Sequence, residues 1–233
     1  LPKSWSLLCP IRYILYPFSP VSVDTYPERT CRLSYREGRQ MLDTILEGNR
    51  RFREKEYRED IDHYRAIAAA QEPKALFIAC ADSRIEPCRI TGTHAGDLFS
   101  MRNVGNIIPP GDPGIATVLE FGINQLKAPE ILLCGHSRCA SIRALDWPAG
   151  DDPISRWLVH ARPAQQRVDN RISPPQTPDE KEERYRLIEQ ENVRLQIEHL
   201  LTYPVVRRAV DANQLRIHGL YYDILTGTLT PLR

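Results

Sequence analysis

Two short apolar runs, Ala75-Leu76-Phe77-Ile78-Ala79 and Ile131-Leu132-Leu133-Cys134, set the terms for any fold this chain can adopt. Neither alternates polar with apolar residues, so a strand made from either has two faces that must both be covered. A parallel sheet with helices on each side meets that need, and the intervening segments read as helices. Residues 38–57 place Leu42, Ile45, Leu46 and Phe52 at helical spacing among mixed charges. Residues 63–70 are alanine-rich and helical, and Pro73 follows them. Residues 98–103 read as a further strand. Residues 114–127 read as a helix turning Val118, Leu119, Phe121, Gly122 and Ile123 inward. Residues 141–145 and 154–168 continue as helices. Residues 179–201 form a long charged helix with an acidic first turn, which suits the helix dipole. Its apolar side is Ile188, Val193, Ile197 and Leu200, and its charge run reads as a solvated face. Residues 215–220 and those from Leu229 onward flank Thr226-Gly227 as a hairpin-like end to the sheet. The expected fold is α/β, a mainly parallel central β-sheet flanked by helices.

At 233 residues such a sheet can enclose a sizeable core. Lys and Arg total 31 against 30 for Asp and Glu, so no global charge draws the chain to nucleic acid or an anionic membrane. No window reaches the roughly 18 apolar residues of a membrane span. Five of the 19 prolines fall in the first 27 residues, which makes residues 1–34 a Pro-rich tail. Within it, residues 5–18 come nearest to a targeting segment, but no small-x-small cleavage site follows.

The chemistry sits just past the two buried runs. Cys80-Ala81-Asp82-Ser83-Arg84 follows the first, and His136-Ser137-Arg138-Cys139 follows the second. Open α/β sheets place ligand sites at these carboxyl ends of strands. Two Cys and one His are soft donors suited to zinc. A separation of 56 residues between Cys80 and His136 is far too long for a zinc finger, and no fourth Cys or His stands near. Three protein donors with one position left over is the arrangement of a catalytic zinc. Thiolate ligands also fit a reducing cytoplasm. Cys134 and Cys88 read as small buried hydrophobes, and Cys9 and Cys31 have no assigned role. His63, His94, His160, His199 and His218 read as structural or exposed.

These motifs, with Glu47-Gly48-Asn49-Arg50-Arg51-Phe52, Met101-Arg102-Asn103-Val104-Gly105-Asn106, Glu191-Asn192-Val193 and His218-Gly219, resemble the β-class carbonic anhydrases. The similarity runs over residues 38–229, within a zinc domain of that kind spanning 35–233. It implies that Cys80, His136 and Cys139 bind Zn2+ and that Asp82 and Arg84 act as a dyad. Asp82 would either ligate zinc in a closed site or turn away and accept a hydrogen bond from solvent on the metal. The implied reaction is reversible hydration of carbon dioxide to bicarbonate and a proton. The implied assembly is a homodimer or a dimer of dimers, with N-terminal helices packing on a partner subunit.

Pocket residues follow from the same resemblance. Gln71 matches a glutamine reaching into a neighbouring subunit's site, and Phe99 and Val104 match apolar wall residues. Phe121 stands where many members carry Tyr, and Ala140 replaces the usual Gly after the second zinc cysteine. Phe77 replaces the Trp of members with a non-catalytic bicarbonate site, although Arg102 of that site is kept. The expectation is therefore an open zinc site without bicarbonate regulation. Two rivals remain on the same scaffold: a carbonyl sulfide or carbon disulfide hydrolase, and a zinc-binding module without activity.

Overall fold

The computed structural model describes residues 35–232, so the Pro-rich tail and the targeting reading of residues 5–18 lie outside the described residues. The chain divides into two units, before and after Glu56. In the first, α1 (Tyr35–Glu54) is a helix whose Met41, Leu42, Ile45 and Leu46 are all more than half exposed. Their spacing puts a continuous apolar stripe along one face.

The second unit begins with α2 (Glu56–Glu59) and α3 (Ile61–Ala69), which lead into β1 (Ala75–Cys80). Then come α4 (Pro87–Thr91), β2 (Leu98–Asn103), a tight turn at Val104–Asn106 and α5 (Pro113–Glu120). After β3 (Glu130–His136) the chain makes α6 (Ala140–Arg143), α7 (Pro153–Leu158) and α8 (Arg162–Asp169). Next are α9 (Pro178–Leu200), α10 (Pro204–Asp211), β4 (Arg216–Asp223) and β5 (Thr228–Leu232). The strands form one sheet in the order β2-β1-β3-β4-β5. The first three pairings are parallel, and β5 returns antiparallel to β4.

All six residues of β1 are buried, as a run without alternation requires. Leu76 and Ile78 pack on one face with Leu119, Ile123, Val193 and Leu200, whereas Phe77 and Ala79 pack on the other with Ile85 and Cys134. Each such aliphatic side chain stabilises the fold by about 1.5–3 kcal/mol. At the carboxyl end of the sheet Cys80 and Cys139 join a third cluster with Ile107, Ile142, Leu158 and Ile188.

Several elements differ from the sequence reading. The helix expected over 114–127 keeps α-helical geometry only to Glu120, then widens over Phe121–Gln125, where the Leu126 N–H donates to the Phe121 carbonyl. Phe121, two positions after the buried Leu119, faces outward, 45 % exposed, rather than into the core. The helix expected over 154–168 is two, α7 and α8, with the break ahead of Pro163. Short α4 and α10 have no counterpart in the sequence reading, and each starts with a proline at its first turn. The charge run of α9 is not wholly solvated: Arg184, Glu189, Glu191, Asn192 and Gln196 are buried.

α9 starts from a reciprocal cap between Thr177 and Glu180 and lies against β3 and β4. Its Val193 fits between two glycines on adjacent strands. A Cβ on Gly135 would come within 2.6 Å of Val193 Cγ2, and one on Gly219 within 3.1 Å of Val193 Cγ1. Gly135→Ala therefore pushes α9 off the strand that carries His136. The expected cost is about 1–3 kcal/mol, with Tm falling by about 2–4 °C per kcal/mol in thermal unfolding. An unchanged Tm would show that α9 can shift freely.

Candidate metal centre

Three side chains converge where β1 and β3 end. Cys80 is the last residue of β1, His136 the last of β3, and Cys139 caps the start of α6. Their donor atoms all lie within 4.8 Å of one another, and all three residues are buried. Arg138, between the two β3-side donors, takes a left-handed backbone (φ 57°), which folds the loop back so that Cys139 meets His136.

The donor set fits a metal. The Nδ1 of His136 is 2.9 Å from the Ser137 carbonyl, so it carries the proton and leaves Nε2 as the free lone pair. That Nε2 is buried with no hydrogen-bond partner, an arrangement that is costly unless a cation takes it up. The two sulfurs titrate as a pair. Hydrogen bonding to Cys80, ahead of the opposing burial, pulls the Cys139 thiol down to about 7. Hydrogen bonding to Cys139, reinforced by burial, pushes Cys80 up to about 12. One proton therefore leaves readily and the other is shared between the sulfurs, where a soft divalent ion would replace it.

Asp82 and Arg84 lie beside this cluster. Arg84 Nε donates to Asp82 Oδ1 at 2.8 Å, Nη2 donates to Oδ2 at 2.6 Å, and the Arg84 backbone N–H adds a third bond at 3.0 Å. The same Nη2 reaches the Arg138 carbonyl at 3.0 Å, tying the dyad to the loop before Cys139. The Arg84 guanidinium holds the Asp82 carboxyl well below the usual carboxylate range, against a smaller opposing effect of burial. Asp82 Oδ2 is 3.9 Å from His136 Nε2, near the donor cluster yet committed to Arg84.

The remaining expected residues are dispersed. Phe99 and Phe121 stack at 5.8 Å between ring centroids, and Val104 is half exposed. Gln71 is exposed on the loop before β1. Phe77 is fully buried, and Arg102 spends its guanidinium on the carbonyls of Cys80 at 3.0 Å and Asp82 at 2.6 Å. Arg102 thus braces the loop that carries the first donor and the dyad. Ala140 opens α6 with ordinary helical geometry, so the missing glycine costs nothing there. Cys134 is buried and Cys88 half-buried, each a free thiol outside the donor cluster.

Of the residues behind the donors, the sequence reading named only Asn192, within the Glu191-Asn192-Val193 motif and without a role, and passed over Glu189 and Gln196. Glu189 accepts from the Cys139 N–H at 2.9 Å and from the Tyr221 hydroxyl at 2.6 Å. Asn192 Nδ2 donates to the Gly105 carbonyl at 3.1 Å, and Gln196 Oε1 accepts from the Ile108 N–H at 2.8 Å. Spacings of three and four place Glu189, Asn192 and Gln196 on one stripe of α9. That periodicity was the available signal, hidden among the exposed charges of the same helix.

The family model described as carbonic anhydrase matches residues 75–229, which contain the whole donor cluster. A carbonic anhydrase of Synechococcus elongatus is 36 % identical over 194 residues, covering 78 % of this chain and 68 % of the relative. One from Pseudomonas aeruginosa is 35 % identical over 196 residues, covering 81 % and 86 %. Among solved structures, one of two tetrameric β-carbonic anhydrases from the ascomycete Sordaria macrospora superposes with a TM-score of 0.76 at 28 % identity. That match covers 83 % of this chain and 97 % of the other. With the sheet order, the Cys-His-Cys cluster and these relatives in agreement, the chain belongs to the β-class carbonic anhydrases.

Proposed function

We propose that Cys80, His136 and Cys139 hold Zn2+ and that Asp82 and Arg84 govern access to its open position, for the reversible hydration of carbon dioxide to bicarbonate. The observation that carries this is the orphaned, buried His136 Nε2 facing two sulfurs, with a paired carboxylate 3.9 Å away. Bound zinc supplies a water whose pKa falls from 15.7 to about 7. The chain's own part is positional. Arg84 forks both oxygens of Asp82 and keeps the carboxylate turned from the cluster. Asp82 Oδ2, still able to accept, orients solvent beside the donors. Phe99, Val104 and Phe121 supply apolar surface suited to a nonpolar gas, and Gln71 completes the pocket of a neighbouring subunit.

That last role requires self-association as a homodimer or dimer of dimers, and the apolar stripe of α1 supports it. The cytoplasm or another reducing compartment suits the thiolate donors. No helix among the described residues is long and apolar enough to cross a membrane.

Stopped-flow hydration assays with metal analysis on the same sample test the reading. The expected result is about one zinc per chain and carbon dioxide turnover exceeding that on carbonyl sulfide and carbon disulfide. Faster turnover of the sulfur gases would reassign the substrate. Zinc-replete protein without hydration activity would make it a binding module.

A further inference from the structure

The zinc reading places two thiolates on one divalent ion, and their negative charge offsets its own. A charge-neutral centre is a weaker Lewis acid than one held by neutral imidazoles alone. Hydrogen bonds to the sulfurs withdraw part of that charge, and the fold supplies one to each. The Gly105 N–H donates to Cys80 Sγ at 3.3 Å. The Ser141 hydroxyl lies 2.9 Å from Cys139 Sγ and is the donor whenever that sulfur is ionised.

Neither donor is placed by accident of a loop. Gly105 takes a left-handed backbone (φ 76°), and its carbonyl is gripped by Asn192 Nδ2, a side chain only 1 % exposed. Asn192 Oδ1 in turn accepts from Gln196 Nε2 at 2.9 Å, so the amide cannot flip without losing both bonds. The space a side chain would fill at Gly105 is occupied by the Ser141 hydroxyl, 2.8 Å from where a Cβ would sit. The missing side chain at 105 lets both donors approach their sulfurs together. One helix turn earlier, Glu189 fixes the Cys139 backbone.

We propose that Asn192 and Ser141 are positioning residues that tune the metal's acidity through its sulfur ligands, Asn192 by aiming the Gly105 N–H at Cys80 and Ser141 by donating directly to Cys139. This rests on the reading that Cys80, His136 and Cys139 hold the metal. The buried polar stripe of α9 is then an adjustment to the donor set as well as a packing surface. Groups of this kind, one bond removed from the ligands, commonly change metal affinity or activity by about 10–100-fold.

The test uses the full chain loaded with cobalt(II), whose thiolate-to-metal charge-transfer absorption reports electron density on the sulfurs. Loss of a hydrogen bond raises the filled sulfur orbitals, so the band moves to longer wavelength in Ser141→Ala and in Asn192→Ala. Zinc affinity of Asn192→Ala, measured by chelator competition, falls by about tenfold. Ser141→Ala removes a single hydroxyl from an otherwise intact cradle, so its spectrum decides the matter even if Asn192→Ala fails to fold. Band positions equal to the parent in a folded Ser141→Ala overturn the proposal while leaving the metal assignment standing. A parent protein with no thiolate band at all overturns both.

Discussion

Cys80→Ser is expected to empty the centre of zinc and to lower carbon dioxide hydration by more than about 100-fold. Groups merely touching the ligands are worth about 10–100-fold, so a lost ligand should exceed that. The substitution is nearly isosteric, and a serine hydroxyl can still accept from the Gly105 N–H that meets Cys80 Sγ now. The end of β1 therefore keeps its packing, and the loss is one of donor chemistry rather than of fold. A neutral hydroxyl is a poor zinc ligand compared with a thiolate. Metal analysis and stopped-flow assay on one preparation check this, with circular dichroism to confirm the fold. Stoichiometric zinc in the variant would mean that Cys80 is not a ligand. Full activity without zinc would separate the metal from the reaction altogether.

The donor cluster was legible because Cys80 and His136 each end a strand that announces itself, and Cys139 follows three residues after the second. A run such as Leu76-Phe77-Ile78-Ala79 can be satisfied only by cover on both faces, and the parallel pairing of β1 with β3 then brings their carboxyl ends together. Asp82 and Arg84 were legible for a local reason: two residues apart, they form their pair within one turn of chain. Phe121 was misplaced because, at 3.6 residues per turn, two positions after the buried Leu119 is the opposite face of the helix. Glu189, and the part Asn192 plays within its motif, were hidden for a different reason. A carboxylate or amide in a charged helix reads as solvated, and only tertiary contact with the Cys139 and Gly105 backbones shows that it is buried and bonded. Gln71 lies at the other extreme, named by resemblance alone and exposed within the single chain.

Arg84→Ala should lower hydration by about 5–30-fold near pH 7 and by clearly less near pH 9. Charge-assisted hydrogen bonds are worth about 1.5–3 kcal/mol each when shielded. Arg84's side chain is 45 % exposed, so solvent takes back much of this and about 1–2 kcal/mol remains for the fork as a whole. On the proposed reading, that energy is what keeps Asp82 away from the open position. Once released, the carboxylate competes for it directly, from 3.9 Å off His136 Nε2. The sign of the pH effect follows from which competitor titrates. Asp82 is depressed below its ordinary 3.8, so its pairing stabilises the fold fully above that value and is lost only in stronger acid. Across pH 6.5–9 Asp82 therefore stays ionised, and its strength as a competitor is constant. Solvent on a zinc ion held by Cys80, His136 and Cys139 would titrate near 7, so Asp82 would compete better at low pH and worse at high pH. The parent profile should accordingly fall below about pH 8, and in Arg84→Ala the midpoint moves to higher pH. Arg84→Lys should lie between the two, since a single ammonium cannot fork both oxygens. A loss in Arg84→Ala that is uniform from pH 6.5 to 9 would refute gating by Asp82 and leave Arg84 an ordinary structural cation.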